Sequence, residues 1–231
     1  MDLPPLLEAA RNGDFNTLEK LHRDGADLDE TARNGSTALI LAAQHDHEEV
    51  VRYLLEEGAD TNVTTSMGGS ALNKAAENGN LEMMKLLMDK GAEIGGLALI
   101  VAAREGKLDA VKLLVEKGAD VNVKQRWGQT AIMQAAREGH ALVIRYLLEK
   151  GGNVKARDKN GETALSIAMD NDQVDVGAQL RRAGAVMSSQ NKTPLAREEA
   201  DMDDDDDSGP DIELDDVIDE DEVPEDMDMD D

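Results

Sequence analysis

His45 and His47 stand two residues apart, the spacing of a metal-binding pair, in a chain of 231 residues with four histidines and no cysteine. No further His or Cys lies near them in sequence to complete the three or four protein ligands that a zinc ion takes, so no metal site is expected. The absence of cysteine also removes disulfides and thiol nucleophiles, and fits a reducing compartment. No glycine-rich phosphate loop, nucleophile elbow or paired carboxylates can be recognised, and Glu77, Glu105 and Glu138 are scattered singly, as surface groups are. Neither enzymatic activity nor a cofactor is therefore expected. The remaining chemistry is recognition. Trp127 is the single tryptophan of a chain with 2% aromatic residues, and Arg126 precedes it. Trp and Arg are the residues most enriched among interface hot spots, since each joins a large contact area to a directional polar group. Two roles are open to Trp127: contact with a partner, or packing over the next element of the fold.

The elements that position these residues are repeated. Gly-Ala, or a near variant, closes a helix-like run at Gly25-Ala26, Gly58-Ala59, Gly91-Ala92, Gly118-Ala119, Gly151-Gly152 and Gly184-Ala185, at steps of 33, 33, 27, 33 and 33 residues. Upstream, Ala9-Ala10, Ala42-Ala43, Ala75-Ala76, Ala102-Ala103, Ala135-Ala136 and Ala168-Met169 keep the same step, so two landmarks report one period. Within a unit, apolar residues recur at helical spacing in two runs, as in Thr37–Ala43 and Glu49–Glu57. A Thr opens the first run as a cap, and a Gly suited to the left-handed region ends the second. Each unit thus predicts two short antiparallel helices and an extended turn. Such a unit is too small to bury its own apolar face, so neighbours must stack into one core. The first unit has Lys20 and His22, and the last has Gly177, Gln179, Arg181 and Arg182, where inner units have apolar residues; these predict solvent-facing caps.

This pattern resembles the ankyrin repeat, G-x-T-P-L-H-x-A-A-x-x-G-H followed by a Leu/Val-rich helix and G-A-D-V-N, over residues 3 to 187; Gly118-Ala119-Asp120-Val121-Asn122 reproduces the last motif. The resemblance implies an all-α repeat, an ankyrin-repeat solenoid of six helix-turn-helix units joined by short β-hairpin fingers, occupying residues 1–187. The T-P-L-H tetrad is altered throughout, for example to Thr37-Ala38-Leu39-Ile40 and Leu97-Ala98-Leu99-Ile100, so proline's helix start and the His bonds to neighbouring loops are missing. His47 and His140 take the helix-start position where the family has His, which implies a structural role. The 27-residue step removes about six residues between Gly91 and the next helix, and these belong to a finger. A notch is expected there, either as tolerated loop loss or as a seat for part of a partner.

Ankyrin proteins bind partners with finger tips and the exposed positions of the first helices, which together form a concave groove. Carried over by register, that surface includes Arg33, Asn34, Ser36 and Gln44, then Met67 and Arg104, and then Lys124, Arg126, Trp127, Arg137, Lys155, Arg157 and Lys159. Its C-terminal half is basic. Beyond a linker at 188–197, residues 198–231 hold 21 acids and no base, which leaves −5 of the formal net charge of −26 to the rest of the chain. Such a segment has too little apolar content to offset ordering entropy and is expected to be a disordered acidic tail. Ile212, Leu214, Val217 and Ile218 interrupt it and loosely resemble a SUMO-interacting or acidic-hydrophobic segment; Ser208 resembles an acid-directed kinase site. The expected function is a protein-protein interaction module, with the tail tuning affinity or solubility. The alternatives are an escort of a basic client, such as a ribosomal protein or histone, and a regulatory subunit of a larger complex. Nucleic-acid binding is disfavoured by the tail's charge. No apolar run is long enough to insert in a membrane. A monomer, cytoplasmic or nuclear, is expected.

Overall fold

The computed structural model describes residues 3–187. The expected linker at 188–197 and acidic tail at 198–231, with Ser208, Ile212, Leu214, Val217 and Ile218, lie outside the described residues. Twelve helices fill the described part, in six antiparallel pairs: α1 (Pro5–Asn12) with α2 (Phe15–Arg23), α3 (Ala38–Gln44) with α4 (Glu48–Glu56), α5 (Ala71–Asn78) with α6 (Leu81–Asp89), α7 (Gly96–Arg104) with α8 (Leu108–Glu116), α9 (Ala131–Glu138) with α10 (Ala141–Glu149), and α11 (Ala164–Asp170) with α12 (Val174–Arg182).

The sequence determines these boundaries locally. Side chains of Thr37, Ser70, Thr130 and Thr163 accept the third backbone N–H of α3, α5, α9 and α11, satisfying a donor that the helix itself cannot. The two helices of a pair meet at a left-handed residue, glycine in four units but Asp46 and Asp172 in the others. The next residue reaches back to the preceding unit. His47 Nε2 donates to the Arg11 carbonyl at 2.9 Å and His140 Nε2 to the Arg104 carbonyl at 2.8 Å, which bears out the structural reading of both histidines. The missing tetrad His is partly replaced: Asn73 Nδ2 donates to the Gly68 carbonyl at 3.2 Å, and Ser166 closes a capping box with Thr163.

The first helices pack against one another along the stack, and the second helices touch at fewer places. The Ala pairs explain this, since Ala42, Ala43, Ala75, Ala76, Ala102, Ala103, Ala135 and Ala136 are all completely buried and let backbones approach. One apolar core runs from Leu6 to Leu180.

The end units bear out the expectation of solvent-facing caps in part. His22 is half-buried and lies 2.8 Å from the Tyr53 hydroxyl, so it joins the first unit to the second. Gly177 is buried, and a Cβ there would meet Met169 Sδ at 2.8 Å. Gln179 donates to the Ala141 carbonyl at 3.1 Å. Only Lys20, Arg181 and Arg182 are exposed. The outermost second helices are thus polar on two counts: Lys20, Arg181 and Arg182 face water, while His22 and Gln179 bind inward.

Candidate protein-interaction surface

Four fingers project between units, with tips at residues 32–36, 65–69, 125–129 and 158–162. Each is closed by a pair of backbone bonds of hairpin type; in the second, Thr65 N–H donates to Gly69 O at 2.9 Å and Gly68 N–H to Thr65 O at 2.8 Å. The described residues contain no strand, because each arm is too short to extend the ladder. Adjacent fingers are bonded tip to tip. Ser66 N–H donates to Asn34 O, and Lys159 N–H to Trp127 O, both at 2.9 Å. At their bases runs a ladder of side-chain bonds: Asp29 accepts from Asp60 N–H at 2.9 Å, Asn62 from Glu93 N–H at 2.9 Å, and Asn122 from Asn153 N–H at 2.7 Å.

Both kinds of bond stop between the third and fourth units. The place of Asp29 and Asn62 in the ladder falls to Gly95, which has no side chain to accept. The connection is even shorter than the sequence implied, since α7 begins at Gly96, with Gly95 as an N-cap lacking a side-chain bond. The finger is absent, and a recess of about 200 Å³ stands in its place, lined by Asn62, Thr64, Gly68, Ser70, Asn73, Glu93 and Gly95–Leu97. The expected notch is therefore a feature of the fold.

The predicted surface residues separate into groups. Arg33, Asn34 and Met67 are exposed at the first two tips, and Gln44 is exposed at the end of α3. Ser36 is buried beneath its finger, which corrects its assignment to the surface. Arg104 is held by carboxylates, with Nη2 at 2.9 Å from Glu77 and Nε at 2.8 Å from Glu105, so its charge is already matched. Lys124, Arg126, Arg137, Lys155, Arg157 and Lys159 form no ion pair among the described residues. Arg157 donates to the Gly161 carbonyl at 2.7 Å, which fixes its guanidinium to its own finger.

Trp127 is 61% exposed at its tip. The Arg126 guanidinium stands 5.9 Å, and the Lys159 ammonium 5.8 Å, from the centre of its ring. Cations favour the electron-rich face of an indole, so the ring, Arg126 and Lys159 of the following finger form one exposed cluster, which also joins Trp127 to the next repeat. Near the first finger the sign is opposite: Asp27, Asp29 and Asp60 are acidic, and the Glu30 carboxyl is pushed above its usual range by partial burial and then by Asp27. The rings of His45 and His47 lie 6.1 Å apart, with His47 Nε2 already engaged by Arg11.

Sequence reading missed the relation between tips. The position occupied by Asn34 in the first finger and Asn160 in the last is held by Met67 and Trp127 in the two that border the notch. Met67 is 88% exposed. The signal was present in the aligned repeats, but its meaning depends on the finger missing between them.

A family profile described as ankyrin repeats (3 copies) matches residues 6–96 and 99–191, two blocks that divide near the notch. The ankyrin repeat domain of human ASB11 superposes with a TM-score of 0.71 at 24% identity, covering 80% of this chain and 85% of that one; it is a likeness of fold. A stretch of 50 residues, 22% of this chain, is 40% identical to an eye-specific diacylglycerol kinase of Drosophila melanogaster. The match spans 3% of that enzyme's length.

Proposed function

The chain belongs to the ankyrin-repeat family, whose repeats form protein-protein interaction modules, and from that premise we propose that it binds an acidic surface of a partner protein. The binding face is the row of finger tips with the exposed ends of α7 and α9. The observation that carries this reading is an exposed tryptophan with Arg126 and Lys159 against its ring, on fingers whose Lys124, Lys155 and Arg157, like Arg137 at the end of α9, have no ion-pair partner among the described residues. A folded surface that carries open cations on one half favours anionic ligands there and speeds their encounter. No catalytic step is assigned to any residue. The acidic tail tunes this affinity through its charge.

A second reading is favoured by the 21 acids of residues 198–231, which suit capture of a basic client. Removing those residues separates the two, since the finger face keeps an acidic partner while a basic client is lost.

The test is affinity purification of partners from cells, followed by calorimetry with the purified partner and two variants. Trp127→Ala is expected to weaken binding by roughly 2 kcal/mol or more. Its effect on unfolding free energy should stay within about 0.5 kcal/mol, because the ring is exposed before binding. Arg137→Glu is expected to weaken binding with a dependence on salt. Unchanged affinity in both variants would place the partner elsewhere.

A further inference from the structure

Resting on the reading of the finger row as a binding face, we propose that the notch is a socket for a tight turn of a partner protein, one that carries an apolar residue beside an acidic one. In the row, two consecutive tip residues do the joining. The first sends its N–H back to the preceding finger and the second offers its C=O to the following one, as Ser66 to Asn34 and Lys159 to Trp127. The absent finger would have donated to Met67 C=O and accepted from Arg126 N–H. Neither group has a backbone partner among the described residues. Adjacent packed helices stand about 8–10 Å apart, so one missing finger leaves a gap of about that width. The missing element is itself a turn, since each tip present is one: Gly68 N–H closes on Thr65 O, and Gly128 N–H on Gln125 O, both at 2.8 Å. A β-turn, whose ends lie within about 7 Å, presents an N–H to one side and a C=O to the other and matches what is missing.

The side chains bordering the gap specify the turn's chemistry. Met67, 88% exposed, and Trp127, 61% exposed, hold equivalent tip positions on the two fingers that border it, whereas the fingers further out carry Asn34 and Asn160 there. A thioether and an indole make an adaptable apolar clamp for one side chain. On the Trp127 side, Arg126 and Lys159 flank the ring, with Lys124 on the same finger, and they call for a carboxylate. The recess floor is polar and contains Glu93, which directs that carboxylate toward Trp127.

Trp127, the single tryptophan, reports occupancy directly. The probe is a disulfide-closed hairpin peptide with Asp-Leu at its tip, titrated into the full chain with tryptophan emission as the readout. A matched peptide with Lys-Leu is the control. A saturable blue shift is expected, with at least tenfold weaker binding of the Lys-Leu peptide. Met67→Asn, which copies the polar fingers at an exposed position, should weaken the Asp-Leu peptide about fivefold. A chain with residues 30–35 duplicated between Gly95 and Gly96 restores the finger and should lose the shift while keeping its helical circular dichroism. Equal binding of the two peptides, or an unchanged titration in the Met67→Asn chain, overturns the proposal. A purified partner that binds the finger-restored and native chains equally, yet is weakened by Trp127→Ala, leaves the interaction module standing and removes the socket.

Discussion

Tyr53 and Tyr146 occupy equivalent positions of α4 and α10, and their neighbours give them different roles. The Tyr53 hydroxyl lies 2.8 Å from His22 Nδ1, and its ring meets Phe15 edge-on at 5.4 Å. Burial first, and then Glu57 and Glu19, push this phenol above its ordinary pKa, so it stays protonated through neutral pH. The Tyr146 hydroxyl is buried with no hydrogen-bond partner among the described residues, while Lys150 lies over its ring at 5.5 Å. A buried hydroxyl that makes a bond contributes about 0.5–1.5 kcal/mol, and one that makes none costs desolvation without return. Tyr53→Phe should therefore lower the unfolding free energy by about 1 kcal/mol. Tyr146→Phe should leave it unchanged or raise it by a few tenths of a kcal/mol. Urea unfolding of the two variants side by side checks the difference, and equal losses would mean that Tyr146 is bonded in solution.

At the scale of elements, the clipped connection forces α7 to begin differently from other inner first helices. Gly95 and Gly96 are adjacent, but they are glycine for different reasons. Gly95, at φ −74° and ψ 155°, has nothing within 4 Å of a built Cβ, so any small side chain fits. Gly96 would bring its Cβ into Val123, whose side chain lies against this backbone at the base of the next finger. Gly95→Ser supplies the missing N-cap and is expected to stabilise by a few tenths of a kcal/mol. Gly96→Ala overpacks a close contact and is expected to cost about 1–3 kcal/mol. Thermal unfolding of both variants measures this; a loss at Gly95 as large as at Gly96 would show that the whole connection is rigidly specified.

For the molecule as a whole, charge is divided along the chain. The formal net charge is −26, of which residues 1–197 hold only −5, and the last two fingers carry Lys124, Arg126, Lys155, Arg157 and Lys159 without ion-pair partners among the described residues. A covalently attached run of 21 acids lowers the potential felt by an acidic ligand wherever it approaches. Truncation after Arg197 is therefore expected to tighten binding of an acidic peptide several-fold at low salt. Near 0.5 M salt, where the Debye length falls to about 4 Å, the gain should disappear. Calorimetry of both chains at two ionic strengths gives the answer. A gain that persists at high salt would assign the tail a role other than its charge.

The sequence by itself determined the repeat, its six units, the helix ends and the missing finger, because each is recorded locally. Caps such as Thr37, left-handed glycines and Ala pairs recur in register, and a 27-residue step among 33-residue steps needs no third dimension to be seen. Composition likewise separated the acidic segment from the repeats. Tertiary structure alone decided which candidates remain open. Arg104 and Arg126 are the same residue type, yet one is neutralised by Glu77 from a neighbouring first helix and the other stands beside an exposed indole. His22 and Gln179, polar in the sequence, bind inward to adjacent units. Met67 and Trp127 are 60 residues apart in the chain and gain a common meaning only because their fingers are neighbours with none between them. Pairing, burial and vacancy depend on what the stack brings alongside a residue, and periodicity carries no record of that.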